Sequence, residues 1–185
     1  MKNQARMLPV FPNWYPFNDM AFDGHLQIKG CAVKTRSWDW KYRGPVLFYT
    51  SGRVAHKAVE AYGYERHYSN HKVIIGVANL VDVRKLTNEE AMEMVCNFNN
   101  IPPSELRRQL VQNGYVEEPD SAFWVSSLGY IAPCEFGFFF QDLKRFAAPV
   151  SFNWPPGPVK PIFTEVRKSK KLLEQLSLTE HLKAT

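Results

Sequence analysis

At 185 residues the chain has the length of one compact domain, or of one domain with an appendage. Apolar residues make up 45% of it and aromatic residues 14%, enough for a real core, which excludes a disordered chain. A net charge of +5 permits an anionic partner without demanding one, and no apolar run or leader-like start is long enough to cross or enter a bilayer, so the expectation is a soluble, cytoplasmic protein with no membrane partner.

Residues 1–17 hold three prolines and several aromatics and read as an ordered lead-in strapped to the core. Asp19 is placed to cap a short helix to about Gln27, ending near Gly30. A connector, Lys34–Gly44, leads to a strand over Val46–Thr50. Ser51-Gly52 breaks that strand, and Ser51 is placed to cap a second helix over Arg53–Tyr62. A polar loop, Gly63–His71, precedes a buried strand rich in β-branched residues, Val73–Val81. Thr87 followed by Glu90 is a capping box, which predicts a helix over Asn88–Asn97, with Glu89, Glu90 and Glu93 on a solvated face. Pro103-Ser104 starts another helix, to about Gln112, stopped near Gly114. Strands follow at Phe136–Gln141 and Val150–Asn153, the second ending in Trp154-Pro155-Pro156-Gly157-Pro158. From Glu165 to Leu182, Leu172, Leu173 and Leu176 recur at helical spacing beside Lys168, Lys170 and Lys171. That pattern allows a helix folded on the domain, a homodimer seam or a basic strip. The division expected is one domain over 1–163 and a basic C-terminal helix over 164–185.

Strands are few and separated by helices, without strict βα alternation or a glycine-rich nucleotide loop after a strand. An α+β fold follows, with a small, mostly antiparallel, barrel-like sheet, inserted helices and a C-terminal helix.

The connector carries the functional signal. Lys34, Arg36, Lys41 and Arg43 offer charge and hydrogen bonds to phosphate, and Trp38, Trp40 and Tyr42 offer faces to bases. Ser37 lies among them. Thr50 and Ser51 add hydroxyls, and Arg53 adds a cation at the start of the second helix, where free N–H groups favour an anion. His67 and His71 are four apart but have no evident third ligand, so neither a metal nor a cofactor is expected. Cys31, Cys96 and Cys134 form neither a disulfide framework nor a metal-ligand spacing. Trp124 is a cleft aromatic or a core residue.

Three blocks, in order, resemble the ASCH (activating signal cointegrator homology) domain of the PUA-like superfamily. They are Ile28-Lys29-Gly30-Cys31-Ala32-Val33-Lys34-Thr35-Arg36-Ser37-Trp38 with Lys41-Tyr42-Arg43-Gly44-Pro45, then Val73–Val83, then Phe136–Phe146 with Pro149-Val150. The resemblance covers about Ala21–Ile162 and implies a PUA-like pseudo-barrel with a cleft between barrel and helices. It also implies binding of RNA or modified nucleobases, or, in some members, amide hydrolysis or RNA cleavage by a lysine with a threonine or acidic neighbour. Here Cys31 stands where those members keep the lysine, and Lys34 stands where a polar or acidic residue is usual. The expectation is therefore a nucleic-acid-binding domain for RNA, single-stranded DNA or a flipped nucleotide. Lys34 and Arg36 would meet phosphate or a base edge, Trp38 or Trp40 would stack, and Lys41 and Arg43 would track the backbone. A hydrolase of modified nucleosides or RNA using Lys34 and Thr35 is the first alternative. A protein-interaction module is the second.

Overall fold

The computed structural model describes residues 7–65, 71–99, 101–112, 136–157 and 160–181. Its strands are β1 (Met7–Tyr15), β2 (Gln27–Ile28), β3 (Cys31–Arg36), β4 (Gly44–Val54), β5 (Val73–Lys85), β6 (Phe136–Ser151) and β7 (Ile162–Glu165). Its helices are α1 (Phe17–Phe22), α2 (His56–Tyr62), α3 (Asn88–Asn99), α4 (Pro103–Gln112) and α5 (Lys170–His181), the last preceded by a 3-10 turn at Val166–Lys168. The strands hydrogen-bond in the order β2-β3-β6-β5-β4-β1-β7. β1 runs parallel to β4 and antiparallel to β7, and β3 is antiparallel to both β2 and β6. The α+β class with helices inserted between strands holds. The order is linear, so the mixed sheet is open rather than closed into a barrel.

The chain divides into two compact units, one of Met1–Phe22, Gly44–Asn79 and Asp142–Thr185, the other of Asp23–Arg43 and Leu80–Gln141. In the first, Leu8, Val10, Leu47, Tyr49, Ile74, Phe146 and Val150 form a core with Val166, Leu172 and Leu176. The repeat of Leu172 and Leu176 therefore turns one face of α5 onto its own sheet. Gly76 lets the backbone pass close: a Cβ there would lie 2.4 Å from the Phe22 ring and 2.5 Å from the Lys144 carbonyl oxygen. In the second unit, β3 and β6 pair Ala32 with Phe140, Lys34 with Phe138 and Arg36 with Phe136. Strand alternation puts those six side chains on one face and Val33, Thr35, Gly137 and Phe139 on the other.

Several predicted elements change. From Met7 on, the lead-in is ordered against the core as expected, in the form of a sheet strand, β1, buried along most of its length. The first helix stops at Phe22. Lys34-Thr35-Arg36 belongs to a strand rather than a connector, because β6 supplies the pairing partner from a hundred residues away. β4 continues through Ser51-Gly52 to Val54. Helix α2 starts only at His56, preceded by Ala55 with no side-chain cap, so Ser51 caps nothing. The two late strands are one, β6. The helices predicted from Thr87/Glu90 and from Pro103 form.

Candidate nucleic-acid interface

The loop from β3 to β4 is built on an aromatic base. Phe138 is fully buried. The Trp38 ring meets it edge-on at 5.0 Å and Trp40 lies over it at 6.4 Å and 30°. Tyr42 then stacks on Trp40 at 4.9 Å and 26°, and Trp38 meets Trp40 edge-on at 6.5 Å. Positions 38, 40 and 42 are thus one cluster, each ring half-buried, between exposed Ser37, Asp39, Lys41 and Arg43. Arg36 is half-buried, with Nη1 donating to the Thr35 carbonyl at 2.8 Å. Alternating aromatic residues were the legible signal. Tyr42 belongs to that alternation, whereas only the cross-strand register reveals Phe138 as the anchor.

Arg43 clasps the loop. Its Nη1 donates to the carbonyls of Trp40 (2.7 Å) and Tyr42 (2.8 Å). Its Nη2 donates to the Val83 carbonyl (3.1 Å) and to Asp82 (3.4 Å). A guanidinium used in this way holds the aromatic array in place and has little capacity left for phosphate.

The other predicted residues fall into separate settings. Lys34 is 1% exposed, which corrects its expected place at a solvent-reached mouth: the Phe138 face buries it. Thr35 is fully buried on the opposite face, its Oγ1 without a hydrogen-bond partner. Lys34 and Thr35 therefore do not present their functional groups to one side of β3. Thr50 is also fully buried, and its Oγ1 accepts from Asn18 Nδ2 (3.1 Å), so its hydroxyl is spent in the core of the first unit. There Asn18 in turn accepts from Asn13. Ser51 is half-buried and accepts from the Arg53 N–H at 3.4 Å, and Arg53 is exposed.

Glu90 also corrects an expectation. It is 3% exposed, not on a solvated face. It accepts two hydrogen bonds from Arg84, at 2.6 and 2.7 Å, a third from the Thr87 N–H at 3.2 Å and a fourth from Lys29 at 3.3 Å. The Arg84 guanidinium, against the upward push of burial, holds the Glu90 carboxyl down at about 2. Cys31 is half-exposed and receives the Gln141 amide at 3.2 Å. Burial pushes the Cys96 thiol up. A cavity of about 500 Å³ is lined by His25, Cys96 and Asn97 among others, and by none of the predicted site residues. Among the described residues no group of three His, Cys, Asp or Glu is arranged to hold a metal, and no helix is long and apolar enough to cross a membrane. His67, Trp124 and Cys134 lie outside the described residues.

No family model and no curated protein matches the chain. Among solved structures it is similar to ASCH from Zymomonas mobilis, at 13% identity and a TM-score of 0.43 over 91% of this chain and 92% of that one. Two point mutants of the same protein are also similar. The serine-to-alanine mutant matches at 13% identity, TM-score 0.44, over 94% and 96% of the two chains. The tyrosine-to-phenylalanine mutant matches at 12% identity, TM-score 0.44, over 93% and 97%. All three are structures of one ASCH protein and its point mutants.

Proposed function

We propose that the β3–β4 loop is a binding surface for unpaired nucleic acid. The Trp40–Tyr42 stack carries this reading: two half-buried rings at 4.9 Å, seated over buried Phe138. Every base has a π-face, so such a stack accepts bases with little regard to sequence. Exposed Lys41 and half-buried Arg36 supply charge for the strand's phosphates. Arg43, clasping three carbonyls, keeps the rings in their binding arrangement, so less order has to be created on binding.

The test is a titration of a labelled oligouridylate and its DNA counterpart at several salt concentrations. Trp40→Ala removes the ring that seats Tyr42 and with it the stacking platform, so it should weaken binding about tenfold, stacking being worth roughly 1–3 kcal/mol per base. Lys41→Ala should lower the salt slope by roughly 0.7, the loss of one phosphate contact on a single strand. Affinity unchanged in both variants removes this loop from the account. The same samples are assayed for cut strand, released base or released acyl group. Product made by the wild type would turn the reading to the hydrolase.

A further inference from the structure

A second surface lies wholly within the first unit, where β4 leaves its register. β1 and β4 pair from Val10 with Leu47 to Asn13 with Thr50, and pair again at Tyr15 with Val54. Three residues, Ser51, Gly52 and Arg53, thus stand against one, Trp14. Extra residues of this kind interrupt the ladder and re-aim side chains. Gly52 and Arg53 are exposed, and the Arg53 guanidinium lies 5.6 Å from the centre of the half-buried Trp14 ring.

Lys72 reaches the same bulge. Its N–H donates to the Thr50 carbonyl at 2.7 Å and its carbonyl accepts from the Phe152 N–H at 3.1 Å. A Cβ on Gly52 would stand 3.5 Å from the Lys72 Cε, so the stem of this exposed lysine runs past the glycine. Its φ of +58° is one that side-chain-bearing residues seldom adopt, and such positions cluster at active sites and ligand clamps. Two exposed cations therefore flank an open stretch of backbone.

Aromatic faces continue from there. Trp154, half-buried, stacks on Tyr49 at 5.1 Å and 17°. Tyr49 is the register partner of Pro12. Trp14 stands two residues further along β1, on the same side as Pro12 and about 7 Å on.

We propose that this bulge is a second single-strand-binding surface, taking a phosphate between Arg53 and Lys72 and stacking a neighbouring base on Trp154. A nucleotide brings a flat face and an anionic group together within one repeat, which matches cations beside indoles. An acidic peptide brings the anion without the face. This surface shares no residue with the β3–β4 loop, so the two succeed or fail separately.

The experiment uses the full chain and a short oligouridylate, with and without iodouridine. Arg53→Gln and Lys72→Gln should each lower the salt slope by roughly 0.7. Trp154→Ala should weaken binding about tenfold, and Trp154→Phe, which keeps a ring in the core, should recover part of the loss. Ultraviolet crosslinking of the iodouridine strand, followed by peptide mapping, should label the peptide carrying Trp154 or that carrying Trp14. Slopes unchanged in both glutamine variants, with crosslinks confined to the 36–43 segment, overturn the second surface and leave the loop reading standing. Crosslinks confined to Trp14 and Trp154, with Trp40→Ala silent, do the reverse. The melting temperature of each variant separates lost binding from lost fold.

Discussion

At the scale of single residues, burial decides what a polar side chain does. Lys34 is among the largest fully buried side chains, so Lys34→Ala leaves a cavity in the β3–β6 face before it tests any chemistry. A cost of about 2–5 kcal/mol is expected, read by denaturant unfolding. Loss of binding or turnover in that variant therefore has to be corrected for the unfolded fraction. Thr35 gives the opposite expectation. Its buried hydroxyl has no partner, so Thr35→Val removes a desolvated group without breaking a hydrogen bond. Stability should hold or rise by about 1 kcal/mol; a clear loss would show that Oγ1 has a partner after all. Glu90 links a residue to pH. Its carboxyl lies at about 2 against an ordinary 4.5, with Arg84 the largest cause. The folded state holds the proton less tightly than the unfolded one, so the stabilisation is complete above about 4.5 and fades as pH falls toward 2. It should amount to about 2–3 kcal/mol, Arg84 being partly exposed. In Glu90→Gln the acid limb of the unfolding curve should flatten. A wild type and variant with parallel acid limbs would remove Glu90 as its cause.

At the scale of elements, close approach and register set the constraints. Gly76→Ala would drive a Cβ against the Lys144 carbonyl as well as the Phe22 ring. A backbone oxygen cannot swing aside as a side chain does, so a loss of about 1–3 kcal/mol is expected, measured by thermal unfolding. Elements were legible where the determinants are local. Thr87 and Glu90 exchange the two hydrogen bonds of a capping box, both at 3.2 Å, and α3 begins where that motif predicts. They were illegible where the partner is distant. Lys34-Thr35-Arg36 reads as the start of a polar connector, but β6 claims it for a strand and buries Lys34 and Thr35. Ser51 reads as a cap because Ser-Gly before a helical pattern is a local signal. What keeps β4 running past it is the resumed pairing of Tyr15 with Val54. The aromatic half of the candidate site survives for a related reason. Alternation at 38, 40 and 42 is visible in the chain, whereas the Phe138 beneath them is set by tertiary register.

At the scale of the whole molecule, α5 is the test of self-association. Leu172 and Leu176 are spent in the first unit's core; among the described residues of α5, Leu173 and Leu178 are the leucines left 42% and 53% exposed. Two leucines fall far short of the roughly 1,000 Å² that a stable interface needs. The chain should therefore not dimerise through this helix. A dimer seen by sedimentation and split by Leu178→Glu would contradict that. Leu172→Ala, in contrast, should cost about 2–5 kcal/mol of folding stability.

The Trp40–Tyr42 stack also has an optical consequence. Two ring chromophores fixed 4.9 Å apart at 26°, in a frame that Arg43 holds still, form a coupled and chirally disposed pair. Phenylalanine absorbs weakly at the wavelengths where indole and phenol absorb, so Phe138 supports the pair without contributing much to its spectrum. The near-ultraviolet circular dichroism of the unlabelled protein therefore reports the geometry of the loop itself. It separates a variant that has lost the array from one that has lost only a charge beside it.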